Sequence, residues 1–203
     1  MNEDAAKKRN YYRIPWLEIR RKIMHTYPIA IPIGYTYLSK ETVLMILIPI
    51  GALYVFCDVF RHFHQGFKEF FDRVITSRFL REQERHGLIG SSYFIFGAVA
   101  SIILFPKEVA IASLYILIFC DAAAGLVGSA WGKVRIFGKT LEGSIAFFVT
   151  GMIVIALAMR GNLLWGTLAV VGAALVELVP TGLDDNFTIP LVAGGILAIG
   201  YWM

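Results

Sequence analysis

The stretch Asp121-Ala-Ala-Ala-Gly125-Leu-Val-Gly128-Ser-Ala-Trp-Gly132, then Lys133-Val-Arg-Ile-Phe, then Gly138-Lys139-Thr140-Leu-Glu142-Gly143, lies between two long apolar runs. An ionisable residue at the end of such a run is costly to keep in a bilayer and marks a functional site by default. Here Asp121 is followed by glycines, a lysine and a second carboxylate, the groups that a phosphate and a divalent metal require. The flanking runs decide the fold. With 57% hydrophobic residues and a mean hydropathy of +0.65, 203 residues are too apolar for a soluble domain. Lipid admits helices and closed barrels, and the runs lack the alternation of barrel strands. The expected fold is all-α: a polytopic integral membrane helical bundle.

Seven spans are predicted, at about 24–39, 42–60, 88–105, 108–128, 141–159, 162–179 and 188–203, each near the ~20 residues that cross the hydrocarbon. Pro28 and Pro32 interrupt the first, so a kink or partial insertion is expected there. Residues 1–23 form a basic segment, retained because no small-x-small cleavage site follows it. Residues 61–87, with phenylalanines among basic residues, read as an amphipathic segment lying along the membrane. Of the 19 Lys and Arg residues, all but Lys40, Lys107 and Arg160 fall on one side of this arrangement. By the positive-inside rule that side is cytoplasmic, as is the N-terminus. The formal charge of +4 is then topological and implies no nucleic-acid partner. Cys57 and Cys120 sit inside apolar spans, where packing rather than a disulfide is expected.

The same topology gathers His25, Asp58, Asp121, Lys139, Glu142, Glu177, Asp184, Asp185 and Asn186 toward the cytoplasmic face. Asp121, Gly125, Gly128 and Gly132 share one helical stripe. Two readings of that stripe stand: close helix packing of the GxxxG kind, or bare backbone against which a phosphate-bearing ligand lies while Asp121 holds its metal. In the loop 129–140, Lys139 and Thr140 lie near a helix N-terminus, which favours anions. A P-loop is excluded, because Gly132 is one position too far upstream and no strand precedes it. In the loop 180–187, closing on Glu177, Asp184, Asp185 and Asn186, adjacent carboxylates offer the hard oxygen ligands that suit Mg²⁺. The group Arg20-Arg21-Lys22-x-x-His25 reads as a basic membrane-surface segment, with His25 as a candidate proton acceptor.

These residues resemble the CTP-dependent lipid-alcohol kinase family: dolichol and polyprenol kinases, phytol kinases and the CTP-dependent diacylglycerol kinases. The likeness runs from Glu18 onward through Arg21-Lys22-x-x-His25, Asp58 and Arg61, Arg81-x-x-Glu84, Gly90-Ser91-Ser92-Tyr93, the Asp121–Gly143 block, and Glu177 with Asp184-Asp185-Asn186-x-x-x-Pro190. The resemblance implies a kinase domain over 24–203, with CTP as phosphoryl donor and Mg²⁺ as cofactor. It implies a membrane lipid alcohol as acceptor and a site on the cytoplasmic side of a prokaryotic plasma membrane. Asp121, Lys139, Asp185 and His25 would be catalytic. Gly125, Gly128, Gly132, Lys139, Thr140, Glu142, Gly143, Arg21 and Lys22 would bind nucleotide, and Asp121, Glu142, Asp184, Asp185 and Glu177 would hold metal. A phosphatidate cytidylyltransferase would use similar residue types, but its His-Gly-Gly-x-x-Asp-Arg signature is missing. A transporter or scaffold would predict a polar path through the spans or an inverted repeat, and neither is seen.

Overall fold

The computed structural model describes residues 27–71, 88–159, 163–179 and 182–203. The described chain is helical apart from one small hairpin. After a 3₁₀ turn at Tyr27–Ile29 come α1 (Ala30–Tyr37), α2 (Lys40–Phe63), α3 (Gln65–Phe71), α4 (Gly90–Leu104) and α5 (Lys107–Trp131). The hairpin β1 (Arg135–Ile136) and β2 (Lys139–Thr140) comes next, then α6 (Leu141–Ala158), α7 (Leu163–Leu178) and α8 (Asp185–Trp202).

Side-chain oxygens start three of these helices where the sequence supplies them. Ser39, Thr140 and Asp184 each accept a backbone N–H from the first turn of α2, α6 and α8, satisfying donors that the helix cannot pair itself. α2, α5 and α6 are long and apolar enough to cross a membrane. α4 and α7 are apolar but shorter, 15 and 16 residues. α1 has only 8 residues, roughly 12 Å of helix, shorter than the first expected span, whose residues 24–26 lie outside the described ones. Helix α5 runs through Ser129–Trp131, and α8 begins at Asp185, so both expected loops are shorter than 129–140 and 180–187. The small residues after Gly128 and the cap at Asp184 account for the two differences.

Helix α5 is the axis of the molecule. Of its most apolar window 56% is buried, against 22% and 28% for α2 and α6. Its first half packs on α1, α4 and α8 and its second half on α6, while α8 also packs on α4 and α7. Between the halves the helix widens into a π turn at Ile116–Cys120, directly before Asp121. Close approaches rest on glycine: a Cβ on Gly151 would meet Val170 at 2.5 Å, and one on Gly97 would meet the Asn186 carbonyl at 2.5 Å. Helices associate this way in lipid, where burial of apolar surface gives no drive. Met45, Leu53, Phe56, Leu157 and Leu164 point outward and exposed, a surface that hydrocarbon, not water, can cover.

Candidate active site

The hairpin is built to present Lys139. Phe137 and Gly138 both have positive φ, 48° and 86°, as a two-residue type I′ turn demands. The register pairs Arg135 with Thr140 and Ile136 with Lys139. Leu141 N–H donates to the Val134 carbonyl at 2.9 Å, and both oxygens of Glu142 lie 3.4 Å from Val134 N. From this base Lys139 Nζ reaches Glu177 Oε1 at the end of α7 and Asp185 Oδ2 at the start of α8, each at 2.8 Å. Three elements thus converge on one ammonium.

Glu177 is 5% exposed and Asp185 27%. Burial disfavours the charge on Lys139, but the pull of Asp185 and hydrogen bonds to Asp185 and Glu177 outweigh it and hold its pKa above the ordinary lysine value. One cation and two carboxylates leave the cluster with a net negative charge. Glu177 Oε2 is buried and makes no hydrogen bond, which is costly unless something pairs with it. A hard cation is such a partner, since Mg²⁺ uses one or two carboxylates together with substrate phosphates. Among the described residues no three His, Cys, Asp or Glu side chains gather around a point where an ion could sit. Of the carboxylates expected to hold metal, the structure brings Glu177 and Asp185 together on the Lys139 ammonium.

The other expected residues divide. Thr140 caps α6, its Oγ1 accepting from Gly143 N at 3.2 Å. A Cβ on Gly128 would lie 2.6 Å from that Oγ1, and one on Gly132 2.5 Å from Thr140 Cγ2. The lower part of the glycine stripe is thus packed against Thr140. Gly143 is close-packed too, with the Ala124 carbonyl 2.9 Å from its Cβ position. That contact brings the first turn of α6 to within one turn of Asp121. Gly125 is half-buried on the same helix. Asp184 spends one oxygen on Asn186 N at 2.9 Å. Arg21, Lys22 and His25 lie outside the described residues.

A second polar cluster did not enter the expected site. Asp58 and Arg61 on α2 are 2% and 4% exposed, with Arg61 Nε 3.6 Å from Asp58 Oδ1. Asp58 Oδ2 accepts the Ile89 N–H at 2.9 Å and the Ser92 hydroxyl at 2.7 Å, fastening α2 to the start of α4. The separations of 31 and 34 residues hid this from spacing arguments; a buried Asp in an apolar run was the available signal.

Helices long and apolar enough to cross a membrane thus surround a lysine and two carboxylates that converge on one point. The chain is 32% identical over 184 residues to the uncharacterized protein RP860 of Rickettsia prowazekii, covering 86% of this chain and 90% of the relative. It is 29% identical over 206 residues to CTP-dependent diacylglycerol kinase 1 of Schizosaccharomyces pombe, covering 89% and 92%. To CTP-dependent diacylglycerol kinase 1 of Saccharomyces cerevisiae it is 28% identical over 207 residues, covering 87% and 71%. No protein-family profile and no solved structure matches the chain. The chain belongs to the CTP-dependent lipid kinase family.

Proposed function

We propose that this protein transfers the γ-phosphate of CTP to the hydroxyl of a membrane lipid alcohol. The observation that carries the reading is the Lys139 ammonium held 2.8 Å from both Glu177 and Asp185, in a chain related over nearly its whole length to proteins named CTP-dependent diacylglycerol kinase. Diacylglycerol is the first acceptor to test on that account, with polyprenol and phytol next. With seven spans and the N-terminus inside, the cluster faces the cytoplasm, as the positive-inside rule requires of the side rich in Lys and Arg. Residues 24–203 are then the kinase domain.

Phosphoryl transfer asks a protein chiefly to position reactants and neutralise charge. Lys139 serves as the cationic point charge, and incoming phosphate oxygens replace a carboxylate at its Nζ. Mg²⁺ held through Glu177 and Asp185 would supply further neutralisation of the triphosphate. Asp121, at the head of the second half of α5, accepts the proton of the lipid hydroxyl. The hydroxyl oxygen bonds to the γ phosphorus as the bond to the bridging oxygen breaks, and CDP leaves.

The experiment is purified protein with γ-labelled CTP and a panel of diacylglycerol, phytol, geranylgeraniol and polyprenol. Label in the lipid is the expected result. Label released as pyrophosphate would assign a cytidylyltransferase instead. Asp121→Asn should lower turnover about 10²–10⁴-fold, the usual contribution of a general base, with an unchanged melting temperature in detergent.

A further inference from the structure

A cavity of about 370 Å³ lies on the far side of α4 from Lys139, walled by α1, α2 and α4. Opposite faces of α4 separate the two places: Ile95 packs on Gly51 of α2, whereas Gly97 abuts Asn186 of α8. The volume is within the ~300–1,000 Å³ typical of small-molecule sites, and the wall is almost wholly apolar. Along α2 it extends from Val43 to Tyr54, roughly 16 Å at the helical rise, so it is elongated along the axis of the spans. Ile46 and Ile50 border it and are exposed on the outer surface of α2. The cavity thus borders the outer surface of α2, where hydrocarbon lies in the seven-span arrangement.

One end of the cavity is polar. Tyr27 and Tyr54 line it there, and the next two positions on the same stripe of α2, four and seven residues on, are the buried Asp58 and Arg61. On α4 the order repeats: Phe94 and Ile95 line the cavity, and Ser92 donates to Asp58. An apolar bore with hydroxyls and charge at one end suits an amphiphile whose tail lies along the spans. Gly34 completes the shape. It lines the cavity, and a Cβ built on it would meet nothing within 4 Å, so its missing side chain leaves space that no neighbour fills.

We infer that this cavity seats a hydrocarbon chain of the lipid-alcohol substrate, and that Gly34 sets the chain it accepts; the inference rests on the function proposed above. Because α4 lies between cavity and Lys139, the reacting hydroxyl rounds the Gly90 end of α4 while the tail stays in the bore. Chains too short to reach from one place to the other are then indifferent to the cavity. Long chains are not.

The test fills the space. Gly34→Phe occupies the bore, and Gly34→Ala serves as the control that keeps it open; both remove a helix-interior glycine and so favour α1. With full-length protein in phosphatidylcholine nanodiscs, kcat/KM is measured for diacylglycerols and isoprenoid alcohols of graded length. Gly34→Phe should lower kcat/KM for long chains by about tenfold or more, the scale of lost methylene contacts in an apolar pocket, and leave short chains and Gly34→Ala at wild-type values. An equal loss at every length overturns the inference. A second readout needs no turnover: diacylglycerol with a diazirine near its tail is photolysed and the labelled peptides are mapped, beside phosphatidylcholine carrying the same group. Expected is labelling of α1 and of Val43–Tyr54 that unlabelled diacylglycerol competes away and Gly34→Phe reduces, with phosphatidylcholine labelling uncompeted. Equal labelling by both lipids means bulk lipid only and overturns the inference. If the wild type phosphorylates no alcohol, the kinase reading fails, and the photolabelling alone decides the cavity.

Discussion

Two sets of lysines sit in this protein in opposite chemical company. Lys40 Nζ donates to the Ile103 carbonyl at 2.8 Å and Lys107 Nζ to the Leu38 carbonyl at 3.0 Å, each closing the C-terminal end of a neighbouring helix with a neutral partner. Lys107 also lies over the Tyr35 ring, 5.3 Å from its centroid, a cation–π contact. Lys139 instead bridges two carboxylates from two other helices. The first pair are anchors, each tying down a helix end through a backbone carbonyl. The second is a charge held ready, because phosphate competes directly with a carboxylate for an ammonium and hardly at all with a backbone carbonyl.

The sharpest way to break this contrast is Lys139→Met. Loss of one preorganised charge at a phosphoryl-transfer site should reduce kcat about 10²–10³-fold, whereas Lys107→Met should leave kcat unchanged. Steady-state kinetics with γ-labelled CTP decide it, and equal effects at both positions would erase the distinction. Next in size, Asp58→Ala should cost about 1–3 kcal/mol in denaturant unfolding, because the Ile89 N–H and the buried Ser92 hydroxyl lose their acceptor. A smaller effect is expected of Thr140→Ala, which removes the cap of α6: about 1 kcal/mol. Gly128→Ala, which drives a Cβ to 2.6 Å from Thr140 Oγ1, should be markedly less harmful in the Thr140→Ala background, and a double-mutant cycle of melting temperatures measures the coupling. The smallest effect is in pH. With the Lys139 pKa raised in the folded state, its pairing stabilises fully below the unfolded lysine value of ~10.4 and is lost only as pH climbs through the folded one. Melting temperatures from neutral to strongly alkaline pH should show a Lys139-dependent fall only above that value. A fall that begins near neutrality and vanishes in Lys139→Met would contradict the pairing.

The helices were legible because lipid enforces them: an apolar run has few other structures open to it, and the Ser39, Thr140 and Asp184 caps mark their starts. The site was legible in its members more than in its wiring. Lys139, Glu177 and Asp185 could each be suspected from charge at a span end, but nothing in a spacing of 38 and 46 residues says that one ammonium touches both. Glycine was ambiguous for a physical reason, since bare backbone serves a ligand and a neighbouring side chain equally well, and spacing alone does not reveal that Thr140 lies against Gly128 and Gly132. Ser92 carries no local pattern that points to Asp58, so that cluster emerges only when α2 and α4 are set side by side.

The π turn at Ile116–Cys120 governs how this chain tolerates changes of length. A π turn is one residue added to an α-helix and absorbed locally as a bulge. Deleting a single apolar residue between Ile116 and Cys120 would let α5 continue as a plain α-helix with Asp121 and the Gly128 face still toward α6, whereas the same deletion within Asp121–Trp131 has no bulge to take up and turns every later residue by about 100°. A frame-preserving deletion should therefore be milder in the π turn than in the half of α5 that follows it.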